Sequence, residues 1–218
     1  SAKSGRIGDM MTDMAQTAAL LDHATNVFRQ TDLACFVRGT RIETAHGQVE
    51  VQDIADGTLI VTADHGLQPV RRVLSKIVAA TGDLAPVCFA KGTLGNGRDL
   101  MVSPHHRMVI GGWQAELLTG EAEVLVPAGA LAGGSDRVYR RPMPQVEYFH
   151  LLFDRHEIIF AEGAATESYH PLSHDAQDRA PGTQAELRSL FPELFTGSAA
   201  TRAARPCIAA HEAALFRL

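Results

Sequence analysis

Thr40-Arg41-Ile42-Glu43-Thr44-Ala45-His46-Gly47-Gln48-Val49-Glu50-Val51-Gln52-Asp53-Ile54-Ala55-Asp56-Gly57-Thr58-Leu59-Ile60-Val61-Thr62 is the stretch that decides the fold class. Three short runs with β-like composition, 40–44, 48–54 and 58–62, are separated only by Ala45-His46-Gly47 and Ala55-Asp56-Gly57. Asp-Gly supplies the positive φ that tight hairpin turns require. Strands joined this closely pair antiparallel, since a parallel pair needs a crossover of about a dozen residues.

Outward from this block the pattern repeats. A long run over 68–78 follows Asp64-His65-Gly66, and further strands are expected at 87–91, 100–102, 107–110 and 123–127. Tyr148 to Ala161 reads as one last long strand ending at Glu162-Gly163. Many short strands at near-regular spacing, with no helices between them, predict a mainly β, antiparallel domain over 35–170 and exclude a βαβ sheet.

The flanks differ. In residues 6–31, Ile7, Met10, Met14, Leu21 and Phe28 recur at roughly helical spacing with acidic and basic residues between them, which predicts an amphipathic docking helix within an N-terminal segment 1–34. Past Pro171, Leu187, Leu190, Phe191 and Leu194 again recur at helical spacing, so 171–218 reads as a helical tail.

Composition narrows the function. A formal charge of −5, with no basic patch interleaved with aromatics, argues against nucleic-acid binding. No apolar run approaches the roughly 18 residues of a membrane span, and no signal-peptide pattern is visible. Cys35, Cys88 and Cys207 lie far apart without a C-x-x-C pair, so neither a disulfide framework nor a structural zinc site is expected. The sequence calls for no cofactor.

Three segments carry chemistry. Cys35 opens Cys35-Phe36-Val37-Arg38-Gly39-Thr40, at the start of the β block. Ser103-Pro104-His105-His106 reads as a β-turn with Pro at its second position, which would hold the Cα atoms of Ser103 and His106 within about 7 Å. In Phe149–Ile159, strand alternation places His150, Leu152, Asp154, His156 and Ile158 on one face, and Phe149, Leu151, Phe153 and Ile159 on the other, the core face. A lone thiol followed by segments bearing His suggests nucleophilic chemistry at sulfur.

These blocks, in this order over about residues 35–165, resemble the Hint domain, the fold shared by inteins and the autoprocessing region of hedgehog proteins. The likeness is greatest to bacterial Hint proteins outside the true inteins. Cys35 to Ile42 is similar to the opening block, whose first residue is the nucleophile. Asp53 to Thr62 resembles the segment that follows it. Ser103-Pro104-His105-His106 resembles a Thr-x-x-His block with Ser in place of Thr, and Phe149 to Gly163 resembles the closing strand, whose His or Asp assists. The resemblance implies a horseshoe of antiparallel strands and an N-to-S acyl shift, with no cofactor or metal. In that reading Cys35 attacks the carbonyl of Ala34, and Ser103 hydrogen-bonds the scissile amide. His106 protonates the departing nitrogen, and Asp154 or His156 activates the thiol. The substrate would be the chain's own N-terminal segment, and water or an added thiol would accept the acyl group. The alternative is a non-catalytic Hint-fold module acting as a connector or interaction domain. Splicing is not expected: the only Asn residues, Asn26 and Asn96, precede the closing strand.

Overall fold

The computed structural model describes residues 34–169 and 202–218, apart from 214 and 217. The expected helices within 6–31 and 184–195 lie outside the described residues. No described helix is long and apolar enough to cross a membrane.

Two antiparallel sheets enclose one core. The first has six strands in the order β11-β7-β8-β1-β12-β6. In chain order these are β1 (Phe36–Val37), β6 (Arg72–Ala80), β7 (Val87–Phe89), β8 (Leu100–Val102), β11 (Val138–Arg140) and β12 (Met143–Leu152). The second has eight strands, β10-β9-β14-β13-β2-β4-β5 with β3 on β2. These are β2 (Arg41–Thr44), β3 (Gly47–Glu50), β4 (Leu59–Thr62), β5 (Gly66–Pro69), β9 (Arg107–Gly111), β10 (Glu123–Pro127), β13 (Ile158–Ala161) and β14 (Ala164–Glu167). The described residues also form three short α-helices, α1 (Trp113–Thr119), α2 (Ala128–Leu131) and α3 (Ala210–Ala213).

The core draws Phe36, Phe89, Leu100 and Leu151 from the first sheet and Ile42, Ile60, Met108 and Ile159 from the second. Phe149, Leu151, Phe153 and Ile159 all point into it, as the alternation predicted. Full burial of such side chains contributes about 1.5–3 kcal/mol each. A second, smaller cluster of Cys35, Val37, Ala80, Val146, Tyr148, Leu152 and Tyr169 covers the opposite face of β1 and β12. Cys35 therefore sits under its own apolar cover, apart from the main core.

The expected runs divide where the chain changes sheets. The stretch 68–78 is two strands: β5 belongs to the eight-stranded sheet and β6 to the six-stranded one. Pro69, which has no N–H for a ladder, ends the first. Likewise 148–161 is not one strand. β12 ends at Leu152, a turn through exposed Asp154 and Arg155 follows, and β13 resumes in the other sheet. Helices α1 and α2, and strands β11 and β14, are additional to the expected elements.

Candidate active site

The turn between β8 and β9 builds one wall of the site. His106 N–H donates to Ser103 O at 3.1 Å, closing the β-turn that Pro104 favours. Helix α2 braces it from behind: Ala128 N–H donates to His106 O at 2.8 Å and Gly129 N–H to Pro104 O at 2.7 Å. A Cβ on Gly129 would lie 3.0 Å from Pro104 O, a tight contact that favours glycine here. His105 at the turn tip is exposed, whereas His106 is fully buried, with its ring 4.6 Å from that of Phe36.

Ser103 grips Cys35 twice. Its N–H donates to Cys35 O at 3.0 Å, and its Oγ accepts the Cys35 N–H at 3.0 Å. That N–H belongs to the Ala34–Cys35 peptide. The carbonyl side of the same peptide is held by β12: His150 Nδ1 lies 2.9 Å from Ala34 O. The other ring nitrogen, Nε2, lies 3.2 Å from Cys35 Sγ. The sulfur is also 3.5 Å from Nδ1, so it sits beside the ring between the two nitrogens. A carbonyl oxygen only accepts, so in neutral His150 the proton is on Nδ1 and Nε2 is the basic nitrogen.

A similar count fixes His106. Thr166 Oγ1 donates its one proton to Arg107 O at 3.1 Å, so the hydrogen bond between Thr166 Oγ1 and His106 Nε2 must be donated by the ring. Nδ1 is then the unprotonated nitrogen. It is buried and makes no well-aligned hydrogen bond among the described residues, while the Cys35 backbone lies close enough to the ring to favour its protonated form. Glu167, next along β14, accepts the Arg107 N–H at 2.8 Å.

Burial keeps Cys35, His150 and His106 uncharged at rest. Burial pushes the Cys35 thiol up to about 12, with the Lys76 charge and the Ser103 hydroxyl pulling weakly the other way. Burial pushes His150 down to about 3, reinforced by Lys76 and opposed by the Ala34 carbonyl. Burial likewise lowers His106 to about 4, against the charge of Glu167. Burial alone would raise the Glu167 carboxyl, but the close approach of His156 and the charge of Arg107 outweigh it and hold the group at about 2.

The structure thus brings Cys35, Ser103 and His106 together around the Ala34–Cys35 bond. Sequence reading assigned thiol activation to Asp154 and His156, but the group against the sulfur is His150. Asp154 forms a two-point ion pair with Arg71 at the surface. His156 faces Glu167, with Nε2 at 3.2 Å from Oε2. β12 ends at Leu152 and the chain crosses to the other sheet, which carries Asp154 and His156 away from His150. Thr166 and Glu167 carried no sequence signal, because the strand that presents them was not expected. Among the described residues no cluster of His, Cys, Asp or Glu is arranged to hold a metal.

The sequence model of the Hint domain matches residues 34–173, so this chain belongs to the Hint domain family. Among solved structures it is similar to the gp41-1 intein, at 14% identity over 61% of this chain and 97% of that one, with a TM-score of 0.41. The bacterial intein-like domain from Clostridium thermocellum matches at 15% identity over 61% of this chain and 96% of that one, TM-score 0.42. A DnaB intein from Synechocystis sp. PCC 6803 matches at 19% over 62% and 98%, TM-score 0.38. No curated protein matches the sequence.

Proposed function

We propose that this Hint domain processes itself by an N-to-S acyl shift at Ala34–Cys35, releasing the N-terminal segment without splicing. The observation that carries this reading is the grip on one peptide bond from both ends, its nitrogen by Ser103 and its carbonyl by His150, with the Cys35 sulfur against the same imidazole.

In the first step His150 Nε2 takes the thiol proton as Sγ attacks the Ala34 carbonyl carbon. Nδ1–H donates to the oxygen as it gains negative charge, and the imidazolium strengthens that donation. Ser103 holds the nitrogen in position while its bond to carbon weakens. The departing nitrogen needs a proton, and His106 Nδ1 is the group assigned to deliver it, after binding one from solvent. The Glu167 charge favours this protonated form and burial opposes it. His150 then returns its proton to solvent, leaving a thioester on Cys35 and a free amine. Water or an added thiol cleaves the thioester. Because a thiol at about 12 is fully protonated at neutral pH, no step proceeds without the adjacent base.

Intact mass after incubation with dithiothreitol tests the reading. Fragments divided between residues 34 and 35 are expected for the parent chain and not for Cys35→Ala. A chain that stays whole, or equal cleavage in both, overturns it.

A further inference from the structure

Residues 202–208 form a strap across the far side of the site's framework, beyond the matched 34–173. It lies parallel to β10, with Leu125 N–H donating to Pro206 O at 2.8 Å and Ile208 N–H to Leu125 O at 2.9 Å. Arg205 pins it to two elements, at 2.8 Å from Asp64 and 2.7 Å from Glu123. Past the strap, Ala213 and Phe216 enter the main core, and α3 packs on α2, the helix behind the Ser103–His106 turn.

One polar contact runs from the strap toward the site. Ala204 N–H donates to His156 Nδ1 at 3.1 Å. That bond places the neutral ring's proton on Nε2, the nitrogen facing Glu167. The His156 side chain is fully buried and Glu167 is 2% exposed, so water competes little with this arrangement. The other carboxylate oxygen of Glu167 holds the Arg107 N–H, one residue from His106, and Thr166 holds both the Arg107 carbonyl and the His106 ring.

From this geometry we infer that His156 is a positioning residue that couples the seated strap to His106, so the site is complete only with residues 202–208 in place. It acts through Ala204, Glu167 and the Arg107 backbone. The inference rests on the acyl-shift reading for its kinetic consequence and, for its structural one, on the hydrogen bonds of Ala204, Glu167 and Thr166 with the 3.2 Å contact between His156 and Glu167.

The test uses the full chain, three single variants and one double variant. Ala204→Pro removes the donated N–H, His156→Gln removes the ring that receives it, and Arg205→Ala loosens the strap at the surface. Thiol-induced release is expected to slow about 10- to 100-fold in the first two, the range that small misplacement of a reacting group produces. Arg205→Ala should slow release to a lesser extent. The double variant of Ala204→Pro with His156→Gln should be no slower than either single one, since both cut the same connection. Nitrogen-15 spectra of the His106 ring should show a single Nε2–H tautomer in the parent chain and lose it in both variants. Unchanged rates and unchanged His106 signals in folded variants overturn the inference, as do additive losses in the double variant. If the parent chain releases nothing, the acyl-shift reading falls while the His106 spectra still decide this one.

Discussion

Ser103 Oγ accepts its 3.0 Å hydrogen bond from the Cys35 N–H, the nitrogen that an acyl shift would have to release. Ser103→Ala removes this acceptor and leaves a buried N–H without it. A lost hydrogen bond of about 1–1.5 kcal/mol corresponds to roughly a tenfold slower release. Ser103→Thr keeps the oxygen and adds a methyl group that restrains the rotamer, so its rate should equal or exceed that of the parent chain. Initial rates by mass spectrometry with dithiothreitol compare the three, and an alanine variant as fast as the parent removes Ser103 from the site.

Replacing His150 should cost more than any other imidazole. His150→Ala takes away both the base at the sulfur and the donor at the Ala34 oxygen, and general-base help alone accounts for about 10²–10⁴-fold. Asp154→Asn, by contrast, only alters a surface pair with Arg71, and such pairs contribute about 0–1 kcal/mol. Its release rate should match the parent's; a large loss there would return thiol activation to Asp154.

His106→Ala should slow release more than His105→Ala, because His106 is buried against Phe36 and His105 is exposed at the turn tip. Parallel time courses of the two variants measure the difference. Equal losses would mean that the turn does not select one imidazole.

Acid should destabilise the fold through these same rings. His106 and His150 have pKa values of about 4 and about 3, both below the ordinary 6.5. As pH falls below 6.5 the unfolded chain binds a proton on each ring and the folded chain does not. Their contribution is therefore complete above 6.5 and is lost as pH falls from there toward 4 and then 3. Two such protons correspond to a slope of about 3 kcal/mol per pH unit. Urea titrations at several pH values, run on the parent and on His150→Gln, should show the shallower slope in the variant. Identical slopes would place His150 in a wetter environment than the structure gives it.

A chain with folded fusions at both ends should yield a free N-terminal piece and never a joined pair. Asn96 cannot supply a cyclising amide: its Nδ2 is committed to Phe89 O, Ala90 O and Arg98 O, and its Oδ1 to Leu94 N–H. Mass spectrometry that finds the two fusions ligated would refute the no-splicing reading.

What the sequence made legible was local. The Asp56-Gly57 hairpin and the Ser103–His106 turn follow from residues a few positions apart, whose turn chemistry is self-contained. Hidden from it were two of the places where the chain changes sheets, after Pro69 and after Leu152. Both sheets face one core, so Phe153 is as apolar as Phe149 and the alternation runs on unbroken across the corner. That continuity left His150, Asp154 and His156 on one face with nothing to separate them, and the family resemblance favoured the last two, although the strand ends two residues after His150. Thr166 was hidden for another reason: its partner His106 is 60 positions away, and nothing in either segment names the other.

Cys35 and the imidazole on its sulfur are 115 positions apart. A ribosome that has made the reactive peptide bond has not yet made the group that would break it. With synthesis at about 5–20 residues per second, the bond spends several seconds or more as an ordinary, inert amide. Docking β1 between β8 and β12 then requires distant segments to find each other, which is a slow kind of folding event. Under the proposed acyl shift, the distance along the chain would work as a timer, delaying scission until the domain has been assembled.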